Sequence, residues 1–285
     1  MKKTLIILIS CSVLFSCSPK IPETLAEKTV LEGFGYQPID PLPTSMYLSH
    51  NGSSDYIKKP LSTILPNNEI AQLFPDETMR LAIGQIDGTG SVSFGTAKLG
   101  TKGSSYIVIL DYIKFKTEAL PISIKKDSAG KIIEFRAFYY PKKEDTTFSK
   151  IPDMLIPVYI GVGLRLTASI SVNEGSIDLG NLIALGIAAE SKKVSGTLVI
   201  QTLGISGKSI TPLIPMPSQI NTTSIQTAIM SLASIKARLY DEGAELNPRV
   251  VGFYNNLGGG QKNVRQLISL MLYPGITLEI EKEVK

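Results

Sequence analysis

The chain has 285 residues, of which 43% are apolar, 19% charged and 7% aromatic. This composition describes a globular protein able to bury a sizeable core and excludes a disordered or fibrous one. A formal charge of +4, from 29 basic and 25 acidic side chains, is too small for a nucleic-acid footprint, so nucleic acid is not expected as a partner.

Met1-Lys2-Lys3 is a positively charged start, and Thr4 to Phe15 is an apolar run too short to span a bilayer as a mature helix. It reads as a secretory signal. The run ends in Leu14-Phe15-Ser16-Cys17, which resembles the lipobox of bacterial lipoproteins: an aliphatic residue stands three before the cysteine and a small one immediately before it. The resemblance implies that cleavage follows Ser16, that the Cys17 thiol receives a diacylglyceryl group, and that the new amino terminus is acylated, as with palmitate. Leu8-Ile9-Ser10-Cys11 matches the local pattern slightly better, but it leaves an apolar core of only about six or seven residues, at the short end for a signal. Cys17 is therefore the expected lipid site.

Removal of residues 1–16 takes Lys2, Lys3 and Cys11 away, leaving 269 residues with 27 basic and 25 acidic side chains, a net charge of +2. With Cys17 carrying lipid, no thiol remains for a disulfide, a metal or a nucleophile. Ser18 in place of an aspartate, and the lack of an acidic run in Pro19-Lys20-Ile21, resemble lipoproteins sent to the outer membrane and facing the periplasm.

Residues 17–45 contain Pro19, Pro22, Pro38, Pro41 and Pro43, which suits a semi-extended tether. Residues 46–150 read as a β-rich region, with strands over 81–86, 92–99, 106–115, 120–125 and 132–140. The last two flank Lys126-Asp127-Ser128-Ala129-Gly130 and form a hairpin. A boundary falls in 141–152, and 151–285 reads as an α+β region; the two regions are also compatible with one domain.

Leu164, Leu166, Ala168, Ile170 and Val172 alternate with Arg165, Thr167, Ser169, Ser171 and Asn173, the cleanest strand pattern in the chain. A short helix over 179–189 and a strand over 194–205 follow. Thr223 and Gln226 form a capping-box pattern that opens a helix, with Gly243 as its stop. A second helix starts near Asn263 and ends before Pro274, and Ile276, Leu278 and Ile280 alternate as a terminal strand. The expected fold class is α+β: mainly antiparallel sheets with two principal helices in the C-terminal third.

Chemical motifs are sparse. Gly204-Ile205-Ser206-Gly207-Lys208-Ser209 ends like a phosphate-binding loop, but Thr202 stands where the first glycine belongs, and Pro212, Pro215 and Pro217 oppose a following helix. Gly88-Thr89-Gly90-Ser91-Val92-Ser93 lacks the third glycine of a dinucleotide fingerprint and reads as a turn. His50, the single histidine, lies in a polar stretch with Ser49, Ser53, Ser54 and Asp55; adjacency alone does not make a triad. Asp87, Asp111 and Glu134 are carboxylates with no informative spacing. Gly258, Gly259 and Gly260, ahead of Lys262 and Arg265 at a helix start, are the best small-ligand loop, suited to a carboxylate or phosphate.

No cofactor or metal is expected. The expected function is a non-catalytic binding or envelope-assembly scaffold, anchored through Cys17, with an envelope protein partner or self-association. Two alternatives stand beside it: an outer-membrane pore or export component using amphipathic strands in 162–205, and a periplasmic hydrolase.

Overall fold

The computed structural model describes residues 35–50, 53–56, 59–94, 99–130, 132–137, 152–257, 261–272 and 276–281. In chain order the strands are β1 (Gly35–His50), β2 (Ser53–Tyr56), β3 (Asp76–Ile86), β4 (Val92–Phe94), β5 (Leu99–Thr101), β6 (Ser105–Lys126), β7 (Ile132–Ala137), β8 (Met154–Val172), β9 (Ser176–Asp178), β10 (Val194–Leu203), β11 (Ile205–Ser206), β12 (Ser218–Gln219), β13 (Glu245–Leu246), β14 (Arg249–Asn255) and β15 (Ile276–Glu281). The helices are α1 (Asn67–Leu73), α2 (Leu182–Glu190), α3 (Thr222–Ala237) and α4 (Gln261–Leu272). The protein is thus α+β, with one dominant, mainly antiparallel sheet, and α3 and α4 lie in the C-terminal third. No helix among the described residues is long and apolar enough to cross a membrane.

The main sheet runs β15-β1-β14-β8-β6-β3-β4, with β10 also on β8, β12 on β10, β2 on β1 and β7 on β6. β6 and β8 pair from Ser105↔Ser171 to Ile122↔Met154, so one sheet bridges the regions 46–150 and 151–285. β8 divides its other edge: β14 takes residues 158–161 and β10 takes 163–172. At the changeover a Cβ on Gly161 would lie 2.1 Å from the Lys114 carbonyl oxygen, and one on Gly163 2.1 Å from that of Tyr112. Glycine permits the tight coiling there.

That coiling rolls the sheet. β1 and β3 come into contact although β14, β8 and β6 separate them in the pairing order. The outer face carries Tyr106, Val108 and Tyr112 of β6 with Leu164, Leu166, Ala168, Ile170 and Val172 of β8, all buried in the principal core beneath the helices. The inner face carries a second cluster of Ile113, Phe115, Tyr159, Leu203 and Val251, with Tyr36 and Tyr254 packed on it.

Four expectations need correction. The tether does not extend to residue 45, because β1 begins at Gly35 and takes Pro38, Pro41 and Pro43 into the sheet. These prolines are tolerated because β14 pairs one edge over 35–43 with a register shift between Pro38 and Leu42, and missing N–H groups are accommodated at bulges and edges. The strands expected over 106–115 and 120–125 are one 22-residue strand, β6. Pro121 falls in the gap between the partners β3, whose first residue Asp76 lies opposite Phe115, and β7, whose last residue Ala137 lies opposite Ile122.

The third correction concerns α3, which is capped by Asn221, not Thr223. The Asn221 side chain accepts from the Ser224 N–H at 2.8 Å, and the Ser224 hydroxyl accepts from the Asn221 N–H at 2.9 Å. Asparagine is among the strongest N-caps, and Asn221 keeps the extended backbone a cap requires. The helix stops at Ala237, well before Gly243. The expected strand 92–99 is also divided: β4 ends at Phe94, and Leu99 opens β5, which pairs with β9.

Candidate functional site

The strand register builds a polar row across the inner face. Arg80 of β3 stands opposite Asp111 of β6, Asp111 opposite Arg165 of β8, and Arg165 opposite Gln201 of β10. Asp111 and Arg165 are 0% and 4% exposed. Burying either charge alone would cost several kcal/mol, and the pair meets that cost with a two-pronged contact. Arg165 Nε donates to Asp111 Oδ1 at 2.7 Å and Nη2 to Oδ2 at 2.7 Å. The remaining donors reach backbone: Nη1 donates to the Ile39 carbonyl at 2.6 Å and Nη2 also to that of Val251 at 3.1 Å.

Tyr36 completes the network by donating its hydroxyl to Asp111 Oδ2. Burial, and then the Asp111 charge, push the Tyr36 phenol well above its ordinary pKa. Burial opposes the Arg165 charge, but the hydrogen bonds and charge of Asp111 outweigh it and raise the guanidinium above its usual value. The constellation therefore holds Asp111 by three donors and ties β1, β14, β8 and β6 together at one point. Its chemistry is that of a clamp.

Arg80, at the other end of the row, is arranged differently. Its guanidinium carbon lies 5.7 Å from the centroid of the Tyr159 ring, and its buried Nε has no hydrogen-bond partner. Tyr159 packs edge-on against Phe115 at 5.1 Å and tilted against Tyr36 at 5.7 Å. Burial raises the Tyr159 pKa, the Arg80 charge acts to lower it, and the nearby Tyr254 acts to raise it. A buried donor left unpaired costs about 1–3 kcal/mol, so the Arg80 Nε is an unsatisfied donor beside an aromatic wall.

The residues singled out from sequence lie elsewhere. Cys17 and Gly258, Gly259 and Gly260 fall outside the described residues. Lys262 is exposed on α4, and Arg265 donates to the Ser91 hydroxyl at 3.0 Å, next to the β3–β4 turn. In that turn the Asp87 carboxylate accepts from the Thr89 hydroxyl and from the N–H groups of Thr89 and Ser91, bonds that lower its pKa, with Arg265 adding a smaller charge effect. Gly90 adopts φ +80° there, so Gly88-Thr89-Gly90 is a turn. In the Gly204–Ser209 segment, Gly204 and Gly207 take φ of +68° and +114°, and only a short 3-10 turn, Thr211–Leu213, follows.

His50 is the last residue of β1 and pairs in register with Ser53 of β2. Asp87 and Asp111 stand apart, one in an exposed turn and the other in the buried network. No group of three or more His, Cys, Asp or Glu side chains among the described residues is placed to hold a metal. The apolar members of 162–172 are buried against the helix layer, which by itself explains their alternation.

A separate half-open cavity of about 400 Å³ lies where β10 meets the start of α3, lined by Leu198, Ile200, Met216, Asn221, Thr223 and Thr227 among others. The sequence reading missed Tyr36, Arg80, Tyr159 and Arg165. The available signal was charge inside apolar strands: Asp111 in 106–115 and Arg165 in 164–172. Among known proteins, no family model, curated protein or solved structure matches the chain.

Proposed function

We propose that the protein is a bacterial lipoprotein, held at the outer membrane by acylated Cys17 and facing the periplasm, whose α+β domain binds a protein partner of the envelope without catalysis. The observation that carries the binding reading is an exposed apolar surface between strand β3 and helices α2 and α3. Met79 and Leu81 of β3 are 61% and 42% exposed, Ile183 and Ile187 of α2 are 56% and 58%, and Ile229 of α3 is 42%.

Contacts bring these elements together. Gly180, just before α2, lies beside the Leu81 side chain, and Gly186 lets α2 approach the Thr222 backbone so closely that an added Cβ would sit at 2.9 Å. Lys236 of α3 bonds Glu77 of β3 and lies 4.7 Å from the centroid of the Tyr112 ring. Helical spacing puts Ile229 on the same side of α3 as Thr222 and Lys236, hence toward β3. An apolar centre flanked by the Glu77–Lys236 ion pair has the anatomy of a protein interface. The three donors that occupy Asp111 support the non-catalytic side of the reading, since a carboxylate so engaged is not free to act as a general base.

Photo-cross-linking from position 187 in intact cells tests the partner. A discrete cross-linked protein, lost in an Ile183→Lys/Ile187→Lys variant of unchanged thermal stability, is the expected result. Capture that survives the double substitution would refute the proposed surface. For the anchor, Cys17→Ser is expected to move the protein from the membrane to the soluble fraction, and unchanged membrane retention would overturn it.

A further inference from the structure

The unpaired Nε of Arg80 draws attention to a second place on the molecule, separate from the apolar surface. Its Nε is buried without a partner, and no hydrogen bond or ion pair to Arg80 is made by any described residue. The carboxylate that register places opposite it, Asp111, is already held by Arg165 and Tyr36. Stacking near Tyr159 does not relieve this, because a ring contact leaves the in-plane N–H donors of a guanidinium unused.

Arg80 is only half-buried, so the site can be reached from solvent. The Arg80 guanidinium carbon lies 5.7 Å from the Tyr159 ring centroid, and Tyr254 packs against the same inner-face cluster as Tyr159. Neither phenol hydroxyl makes a hydrogen bond with a described residue. The Arg80 guanidinium and the two tyrosines thus share the aromatic inner face, and no carboxylate among the described residues pairs with Arg80. A planar fork of N–H donors flanked by hydroxyls suits a two-oxygen or three-oxygen anion.

We infer that Arg80, Tyr159 and Tyr254 form a binding site for the oxyanion group, phosphate or carboxylate, of a small ligand whose body packs on the tyrosine wall. Arg80 supplies the charge and the fork, and the phenols supply additional donors. The Asp111–Arg165–Tyr36 clamp fixes the inner face behind the site and does not touch the ligand.

The test is a melting-temperature titration of the full-length protein in non-ionic detergent with inorganic phosphate and, separately, with acetate, each against sodium chloride at equal ionic strength. The expected result is a saturable rise with at least one oxyanion and none with chloride. A response to phosphate alone identifies a phosphoryl ligand, and a response to acetate alone identifies a carboxylate. Arg80→Gln is expected to weaken the apparent affinity by about tenfold or more, with Arg80→Lys in between. Tyr254→Phe, which keeps the ring, is expected to weaken it by several-fold and serves if Arg80→Gln does not fold. No saturable response in the unmodified protein, or an equal response in the Arg80→Gln or Tyr254→Phe protein, would overturn the site. Neither result bears on the cross-link from position 187.

Discussion

Asp111 and Arg165 stand directly opposite each other on β6 and β8 and share two parallel hydrogen bonds, each 2.7 Å long. Removing one partner strands the other charge in a buried setting. Asp111→Asn or Arg165→Met is therefore expected to lower unfolding stability by about 3–5 kcal/mol. The Asp111→Leu/Arg165→Met double variant should recover a large part of that loss, although the Ile39 and Val251 carbonyls lose their donor. Urea unfolding of the three variants measures this, and additive losses in the double variant would contradict it.

Tyr36 makes stability depend on alkaline pH. Its folded-state pKa is raised well above the ordinary value of 10.0, so the folded protein holds the phenolic proton more tightly than the unfolded chain does. The contribution is complete below about pH 10 and is lost as pH rises beyond it toward the folded-state value. Tyr36→Phe should cost about 0.5–1.5 kcal/mol at neutral pH and flatten the loss on the alkaline side. Urea midpoints followed from neutral to strongly alkaline pH would show it; parallel curves for the two proteins would count against the assignment.

Two glycines give a matched contrast. A Cβ on Gly163 would lie 2.1 Å from the Tyr112 carbonyl oxygen, whereas one on Gly88 meets nothing within 4 Å. Gly163→Ala is expected to destabilise by about 1–3 kcal/mol through forced strand displacement. Gly88→Ala should be close to neutral or slightly stabilising, because it restricts only the unfolded chain. Thermal melts of both variants decide the matter.

The corrected helix cap also has a measurable consequence. Asn221→Ala should lower stability by about 1 kcal/mol and Asn221→Gly by only a few tenths, while Thr223→Ala should cost little. A larger loss at Thr223 than at Asn221 would restore the cap expected from sequence.

Legibility from sequence followed the range of the interaction. β8 was readable because Leu164 to Val172 alternate without a break, and a half-buried strand prints its period on neighbouring residues. The α3 cap was displaced by two residues because Asn221/Ser224 and Thr223/Gln226 both offer capping groups, and only backbone geometry separates them. β1 was hidden by its prolines, whose cost depends on whether an adjacent edge is paired. The inner row was the least readable part. Arg165 is the polar half of an alternation that elsewhere points away from the core, and its partners Asp111 and Ile39 lie 54 and 126 positions distant. No local rule pairs them; sheet register does.

The divided edge of β8 has a consequence for the order in which the chain can fold. β6 and β10 reach β8 early, but residues 158–161 must wait for β14, and β1, the first described strand, must wait for β14 and β15. Closure of the roll thus depends on the last forty or so residues, the high-contact-order arrangement that folds slowly. A nascent or C-terminally truncated chain that ends before Arg249 leaves residues 158–161 of β8 without β14, and β1 without β14 on one side and β15 on the other, and is the form most prone to associate with other chains.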